Sequence, residues 1–432
     1  MKVTVKPGKI SGDIKVISSK SYAHRFIIAA ALSDEPTKIS NVSDAEDVLT
    51  TIEAVKALGA KVEKAGDDVV VTPIDKTKLS DTVIKIHCNE SGSTLRFLMP
   101  IVAAITNDAV FYAKGRLPLR PIYGLKAALS SHGKEFSMEL CKEDLLNEEN
   151  LGDTDGFDEE VMLFRMQGTL TGGKYELPGD VSSQYVSGLL MGLPLLNEDS
   201  TIELTTQLQS INYVEMTRQV LFRFDVDTDV MCGSMMGYSV PGNLKYKTPR
   251  VLSVNCDWSN AAFFICLNEL FNESVVTIKN MDYDFLQGDS CVTRLISMFH
   301  DKRKRVIDIK NIPDMLPPLS VVAACKEGIT EFVDGKRLRF KESDRLFSTV
   351  NMINSLGGCA KETESGIMVE GTGLKGGIVN AFRDHRIVMA AAIAGLVAKG
   401  DVVIEEAEAV KKSYPSFFEE LKRLGAKISV KE

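Results

Sequence analysis

A chain of 432 residues, 44% of them hydrophobic and 25% charged, has the composition of a folded globular protein and the length of two or three domains, two being the default, which excludes disordered and fibrous classes. Its 51 Lys and Arg stand against 59 Asp and Glu, a net charge of −8; no long basic block supplies the footprint of a nucleic-acid binder, so an anionic partner must meet a local basic site. The longest near-continuous apolar stretch, 387–398, is too short to span a bilayer at ~20 residues per helix.

Met1-Lys2-Val3-Thr4-Val5 opens as an alternating strand, without the apolar segment of a secretory signal or the Arg- and Ser-rich character of a transit peptide, so export is not expected. Beyond it a pattern recurs: a strand-like run reaches Ser or Asp and enters an apolar stretch of small residues, as a helix does after an N-cap. Lys20-Ser21 precedes 26–32, Ser91-Gly92-Ser93 precedes 97–99, and Ser182-Ser183 precedes 186–190. In the second half Asp257-Trp258-Ser259 precedes 261–264, Asp314 precedes 319–324, and Asp384-His385-Arg386 precedes 387–391. Successive starts lie roughly 57 to 91 residues apart, too far for a solenoid and suited to a βαβ-type module with extra strands, three in each of two domains.

These six helices are apolar all round, which marks them as buried, and their polar residues cluster at the N-terminal ends. A helix start offers unpaired N–H groups and about half a positive charge, so several converging starts would form an anion site even in an acidic protein. Taken one at a time, each Ser or Asp reads first as a plain helix cap, the role these residues have in most proteins. Between the modules, amphipathic stretches at 45–58, 346–356 and 417–424 each end in Gly, at Gly59, Gly357 and Gly425. The acidic, Asn- and Gly-containing segment 141–160 reads as a surface excursion.

Three motifs are decoys. Gly168-Thr169-Leu170-Thr171-Gly172-Gly173-Lys174 approaches a phosphate-binding loop, but Tyr175 stands where magnesium needs Ser or Thr, and no helix follows. Gly371-Thr372-Gly373-Leu374-Lys375-Gly376 fits a dinucleotide pattern on paper yet runs on into a strand, so it reads as a hairpin loop. Lys302-Arg303-Lys304-Arg305 reads as a solvated loop. The eight cysteines show no C-x-x-C pair and read as reduced, buried thiols; five scattered histidines offer no zinc pattern, and no metal is expected.

Ser19-Lys20-Ser21 with Arg25, Ser91-Gly92-Ser93 with Arg96, Arg120-Pro121-Ile122 and Pro178-Gly179-Asp180-Val181-Ser182-Ser183-Gln184 mark the first half. Pro313-Asp314, Lys341-Glu342-Ser343-Asp344-Arg345, Asp384-His385-Arg386 and Lys412-Ser413-Tyr414-Pro415 follow in the second. In order and spacing the set closely resembles the EPSP synthase (3-phosphoshikimate 1-carboxyvinyltransferase) family of the enolpyruvyl transferase superfamily, over the whole chain. The resemblance implies an α/β (α+β) fold of two similar lobes, each with three βαβαββ-type modules around a pseudo-threefold axis. One lobe would hold 20–254 and the other 1–19 with 255–432, the active site lying in the cleft. Departures from the family pattern are Asn89-Glu90-Ser91-Gly92-Ser93 in place of Asn-Ala/Ser-Gly-Thr, Phe97 where Pro is common, and Arg337 and Arg383 where Asn is common.

By the same resemblance the reaction transfers the enolpyruvyl group of phosphoenolpyruvate to the 5-hydroxyl of shikimate 3-phosphate by addition and elimination, releasing phosphate. Shikimate 3-phosphate would meet Lys20, Ser21, Arg25, Ser182, Ser183, Gln184, Ser210, Tyr213, Asp314 and Lys341. Phosphoenolpyruvate would meet Lys20, Gly92, Arg120, Gln184, Arg345, Arg386 and Lys412. Two polyanions need several cations, with bidentate Arg prominent. Asp314 is the expected base on the hydroxyl and Glu342 the proton carrier at the methylene; Lys20 and Lys412 would stabilise the phosphate and bridging oxygens or donate a proton. His385 would orient its neighbours. From the residues alone Asp314 also reads as a helix cap and Glu342 as an ion-pair partner of Arg345. No cofactor, nucleic acid or membrane is expected, and the protein reads as a cytoplasmic monomer. A UDP-N-acetylglucosamine enolpyruvyl transferase would carry a reactive Cys or Asp before its Arg-Pro segment, and Lys114-Gly115-Arg116-Leu117-Pro118-Leu119 offers neither. A non-catalytic anion-binding scaffold would lack the acid and base groups present here.

Overall fold

The computed structural model describes residues 1–75, 79, 83–138, 157–233, 236–271, 275–301 and 304–431. The chain divides into two compact units, Lys20–Val254, and Met1–Ser19 with Asn255–Glu432.

One supersecondary unit recurs. In its plainest form strand Ile84–His87 leads through helix Gly92–Ile105 to the parallel strand Asp108–Gly115. Helix Tyr123–Ser130 then leads to Glu135–Ser137, and Phe157–Gln167 inserts antiparallel between the last two strands. A parallel pair cannot be closed by a hairpin, so the crossover must carry a helix, and the sheet buries that helix against its face. The same order, with the fourth strand inside the third, recurs at Gly173–Leu177, Ser200–Leu204, Met236–Val240 and Asp229–Cys232, and at Arg305–Asp308, Ile329–Val333, Ile367–Glu370 and Cys359–Glu362.

Three modules borrow a strand from far along the chain. Val251–Ser253 pairs in parallel with Thr37–Ser40 and supplies the first strand that helix Lys20–Leu32 lacks. At the other end Lys2–Val5 lies antiparallel between Val402–Glu405 and Ile428–Lys431, completing the sheet that begins with Gly377–Asn380. The sixth module departs from the expected pattern: Gly12–Ile14 and Val276–Ile278 form a two-stranded sheet, with no third or fourth strand among the described residues.

All six apolar stretches are helices, Lys20–Leu32, Gly92–Ile105, Ser183–Gly192, Trp258–Phe271, Leu316–Cys325 and His385–Val397, and their side chains form the core of each unit. Small residues let backbones meet. A Cβ at Gly188 would lie 2.3 Å from the Arg96 carbonyl oxygen, which has no helical donor because Pro100 stands four residues on. The amphipathic helices Glu46–Ala57, Arg345–Ser355 and Phe417–Arg423 end alike. Gly59, Gly357 and Gly425 take left-handed φ of 95°, 73° and 106°. The next N–H reaches back to Val55, Ile353 and Leu421 respectively, the Schellman closure.

Several expectations need correction. Residues 157–160 belong to a strand; 141–156 lie outside the described residues. The 371–376 loop joins strands of two different sheets and is no hairpin. Lys302 and Arg303 lie outside the described residues, Lys304 pairs with Glu331, and Arg305 is buried, donating to the carbonyls of Met298 and Asp301 and to Thr330. Cys88, Cys256 and Cys266 are buried, Cys291 and Cys325 half-buried, and Cys359 exposed.

Candidate active site

In the unit Lys20–Val254 the helix starts carry the predicted residues. Lys20 opens its helix and donates to Asp47 at 2.7 Å, in the first turn of Glu46–Ala57. Ser21 turns its carbonyl to the Arg25 guanidinium at 2.8 Å. Arg25, one turn deeper and buried, also donates to Thr217 Oγ1 at 2.8 Å and the Tyr213 carbonyl at 2.9 Å, and lies over the Phe97 ring. Burial pushes its pKa down to about 10, against the opposing pull of Tyr213 and Tyr22, so it stays a cation at neutral pH. Ser210, ahead of Ile211–Arg223, is held at φ 55°, a conformation that costs a non-glycine residue about 1 kcal/mol or more.

Ser91 caps Gly92–Ile105 by accepting from the Thr94 N–H, and Ser182 caps Ser183–Gly192 by accepting from the Gln184 N–H. The Gln184 side chain spans the two helices, accepting from Arg96 Nη1 at 3.0 Å and donating to Ser93 Oγ at 2.9 Å. At Gly92 a Cβ would lie 2.6 Å from Arg96 Nη1 and 3.1 Å from Arg120 Nη1. Two guanidinium groups therefore close on one helix start, and any side chain there would push them aside.

In the other unit the centre is Arg345, 1% exposed. It donates from Nη1 to Asp314 at 2.6 Å, from Nη2 to Glu342 at 2.6 Å, and from Nε and Nη2 to Asp384 at 2.9 and 3.2 Å. Arg386 donates to the second Asp314 oxygen at 3.1 Å and to Asn260 at 3.2 Å. Asp314 therefore faces arginines and does not cap; the helix that follows starts without a side-chain cap. Glu342 does pair with Arg345, but ahead of the helix and not along it, since the cap of Arg345–Ser355 is Asp344. Asp384 caps His385–Val397, and His385 Nδ1 lies 4.0 Å from it. Lys412, buried, donates to the Arg383 carbonyl at 2.9 Å.

Burial works to raise the Asp314 carboxyl, but Arg386, Arg345 and Lys341 outweigh it and hold the group well below the usual carboxylate range. Burial, with Arg337 beside it, pushes Lys341 down to about 7 against the pull of Asp314 and Glu342.

Several residues with no role evident from sequence hold the site together. Arg96 sits in an otherwise apolar helix, itself the signal that it must have partners. Asp47 and Asp384 hold Lys20 and Arg345. Asp289, fully buried on Ser259 Oγ, has its carboxyl pushed up to about 7 by burial first and by Asp314 next. Asp289 gave no local signal. Arg337 and Arg383, the departures from the family pattern, donate to the Lys310 carbonyl and to Glu406.

The EPSP synthase (3-phosphoshikimate 1-carboxyvinyltransferase) family model matches residues 4–421, and a 3-phosphoshikimate 1-carboxyvinyltransferase of Clostridium perfringens is 37% identical over 98% of both chains. The chain belongs to the EPSP synthase family. A Clostridium acetobutylicum relative of the same description is 37% identical over 99% of this chain and 98% of its own. A solved EPSP synthase from Acinetobacter baumannii shares the fold, with a TM-score of 0.76 over 99% of this chain and 100% of that one at 23% identity. The EPSP synthase activity is enolpyruvyl transfer from phosphoenolpyruvate to shikimate 3-phosphate, a step of aromatic amino acid biosynthesis. No helix among the described residues is long and apolar enough to cross a membrane.

Proposed function

We propose that Asp314, Glu342, Lys20 and Lys412 carry out the addition and elimination, while buried arginines and helix starts hold the two polyanions. The observation that supports this most is the joint grip of Arg345 and Arg386 on Asp314, with Glu342 on the same Arg345. Asp314 and Glu342 pair with guanidinium edges of a kind that also suits a substrate carboxylate or phosphate. Arriving phosphoenolpyruvate takes those edges, Asp314 loses its cationic partners, and its proton affinity rises toward that of a working base.

Asp314 then takes the 5-hydroxyl proton as that oxygen bonds to C2 of phosphoenolpyruvate, and Glu342 delivers a proton to the methylene carbon. In the second half Glu342 takes a proton back from the new methyl group as the C2–O bond to phosphate breaks. Lys412 and Lys20 stabilise the departing oxygens or protonate them. Shikimate 3-phosphate lies on Lys20, Ser21, Arg25, Ser182, Ser183, Gln184, Ser210, Tyr213, Asp314 and Lys341. Phosphoenolpyruvate lies on Lys20, Gly92, Arg120, Gln184, Arg345, Arg386 and Lys412, with His385 orienting its neighbours.

Phosphate release from phosphoenolpyruvate should require shikimate 3-phosphate; release driven only by UDP-N-acetylglucosamine would reassign the acceptor, and silence with both would overturn the reading in favour of a binding module. Phosphorylated small molecules do not cross membranes unaided, which favours the cytoplasm that makes them. We take the enzyme to act there as a monomer, so sedimentation at a dimer's mass under assay conditions would refute the monomeric state.

A further inference from the structure

The Lys20–Leu32 helix carries a buried histidine that the reaction does not use. His24, 1% exposed, places Nδ1 2.7 Å from Thr51 Oγ1; Thr51 Oγ1 lies 2.7 Å from Thr94 Oγ1; and Thr94 Oγ1 donates to Ser91 Oγ at 2.7 Å. The four side chains come from three helices and the cap of Gly92–Ile105, and all are buried. A hydroxyl has one hydrogen, so the chain has a direction. Thr94 spends its hydrogen on Ser91, so Thr51 must donate to Thr94, in preference to the Asp47 carbonyl at 3.4 Å. His24 must then donate from Nδ1–H to Thr51, leaving Nε2, buried and without a partner, as the unprotonated nitrogen.

The chain ends at the start of the helix that holds Gly92. Ser91 uses its hydroxyl oxygen for the Thr94 N–H and its carbonyl for the Leu95 N–H, so the Gly92 and Ser93 N–H groups are the donors left at that helix start. We infer that His24 is a positioning residue: held as the Nδ1–H tautomer, it orients Thr51, Thr94 and Ser91 and thereby aims the Gly92 helix start at its anion. The inference rests on the reading of that helix start as a phosphoenolpyruvate contact. Burial, and then the neighbouring cations Lys20 and Arg25, hold the imidazole pKa well below its ordinary value, so the ring stays neutral.

Nitrogen-15 spectra of the wild-type enzyme at neutral pH decide the tautomer. The chain has five histidines, and the His24 signals are those lost in His24→Gln. A protonated Nδ1 beside a pyridine-like Nε2 is expected, and a protonated Nε2 would overturn the inference. In kinetics Thr51→Val, which cuts the chain without shortening it, should raise KM for phosphoenolpyruvate about fivefold and spare KM for shikimate 3-phosphate, while Thr94→Ser stays near wild type. An unchanged KM for phosphoenolpyruvate, or equal rises for both substrates, would count against it. Should Thr51→Val fold poorly, the wild-type spectrum still decides. A wild-type enzyme silent with phosphoenolpyruvate would remove the site reading itself; an active one indifferent to these changes removes only the role of His24.

Discussion

Arg345 holds three carboxylates at once, and its neighbours set what each can do. If Asp314 competes with phosphoenolpyruvate for that guanidinium, as proposed, Asp314→Asn should lower kcat by about 10²-fold or more while leaving KM for phosphoenolpyruvate unchanged or lower; steady-state kinetics with each substrate varied would show it. A raised KM for phosphoenolpyruvate would make Asp314 a contact of that substrate and not its competitor. Lys341 gives a pH-dependent prediction. With its pKa pushed down to about 7 it is largely neutral at pH 8 in the free enzyme, and a bound phosphate raises that pKa. Binding of shikimate 3-phosphate should therefore take up a proton near pH 8, read by calorimetry in buffers of different ionisation enthalpy, and Lys341→Met should abolish the uptake. Stability has the matching sign: the unfolded chain holds the Lys341 proton to higher pH than the folded one, so this group's contribution to stability rises between about pH 7 and its ordinary value near 10.4. The cationic and acidic residues at 341–345 and 384–386 were legible in the sequence as motifs. The local pair of Glu342 with Arg345 was legible too, but the distant partners were not, since Asp384 and Arg345 lie 39 residues apart and only packing brings them together.

At the scale of elements, the pairing of Gly92–Ile105 with Ser183–Gly192 fixes the positions of both Arg96 and Gln184. Their close approach at Gly188 depends on the absence of a Cβ, with a backbone oxygen 2.3 Å from where it would stand. Gly188→Ala should cost about 1–3 kcal/mol in chemical denaturation, because backbone cannot yield as a side-chain tip can. It should also raise KM for phosphoenolpyruvate by shifting Arg96; a neutral result in both would remove the contact from the account. Helix ends were readable from sequence with no help from the fold, since Gly59, Gly357 and Gly425 each satisfy a local rule about left-handed residues. At helix starts the local capping rule fails at Asp314, a carboxylate just ahead of a helix that turns to two arginines in place of the free N–H groups, because charged partners outweigh a cap.

For the whole molecule, the borrowed strand Lys2–Val5 ties the first residues into a sheet built mostly from the last. Lys2–Val5 fills the inside position of a sheet otherwise built from residues 377–431, with Val3 and Val5 fully buried. Removing residues 1–5 should lower the thermal midpoint sharply or leave the protein insoluble, whereas removing residue 1 alone should be tolerated; an unchanged midpoint after the larger deletion would show the strand to be dispensable.

The sequence by itself determined the repeated module, the six buried helices, the helix ends and the family, because these depend on periodicity, capping and order along the chain, all of them local. Only the tertiary structure decided which strand closes each sheet, that one module shows two strands among the described residues, and which carboxylate meets which guanidinium. Those depend on contacts between residues up to some four hundred positions apart, such as Val3 with Ile404, and nothing in a local pattern encodes which distant edge or charge will be nearest once the core has formed.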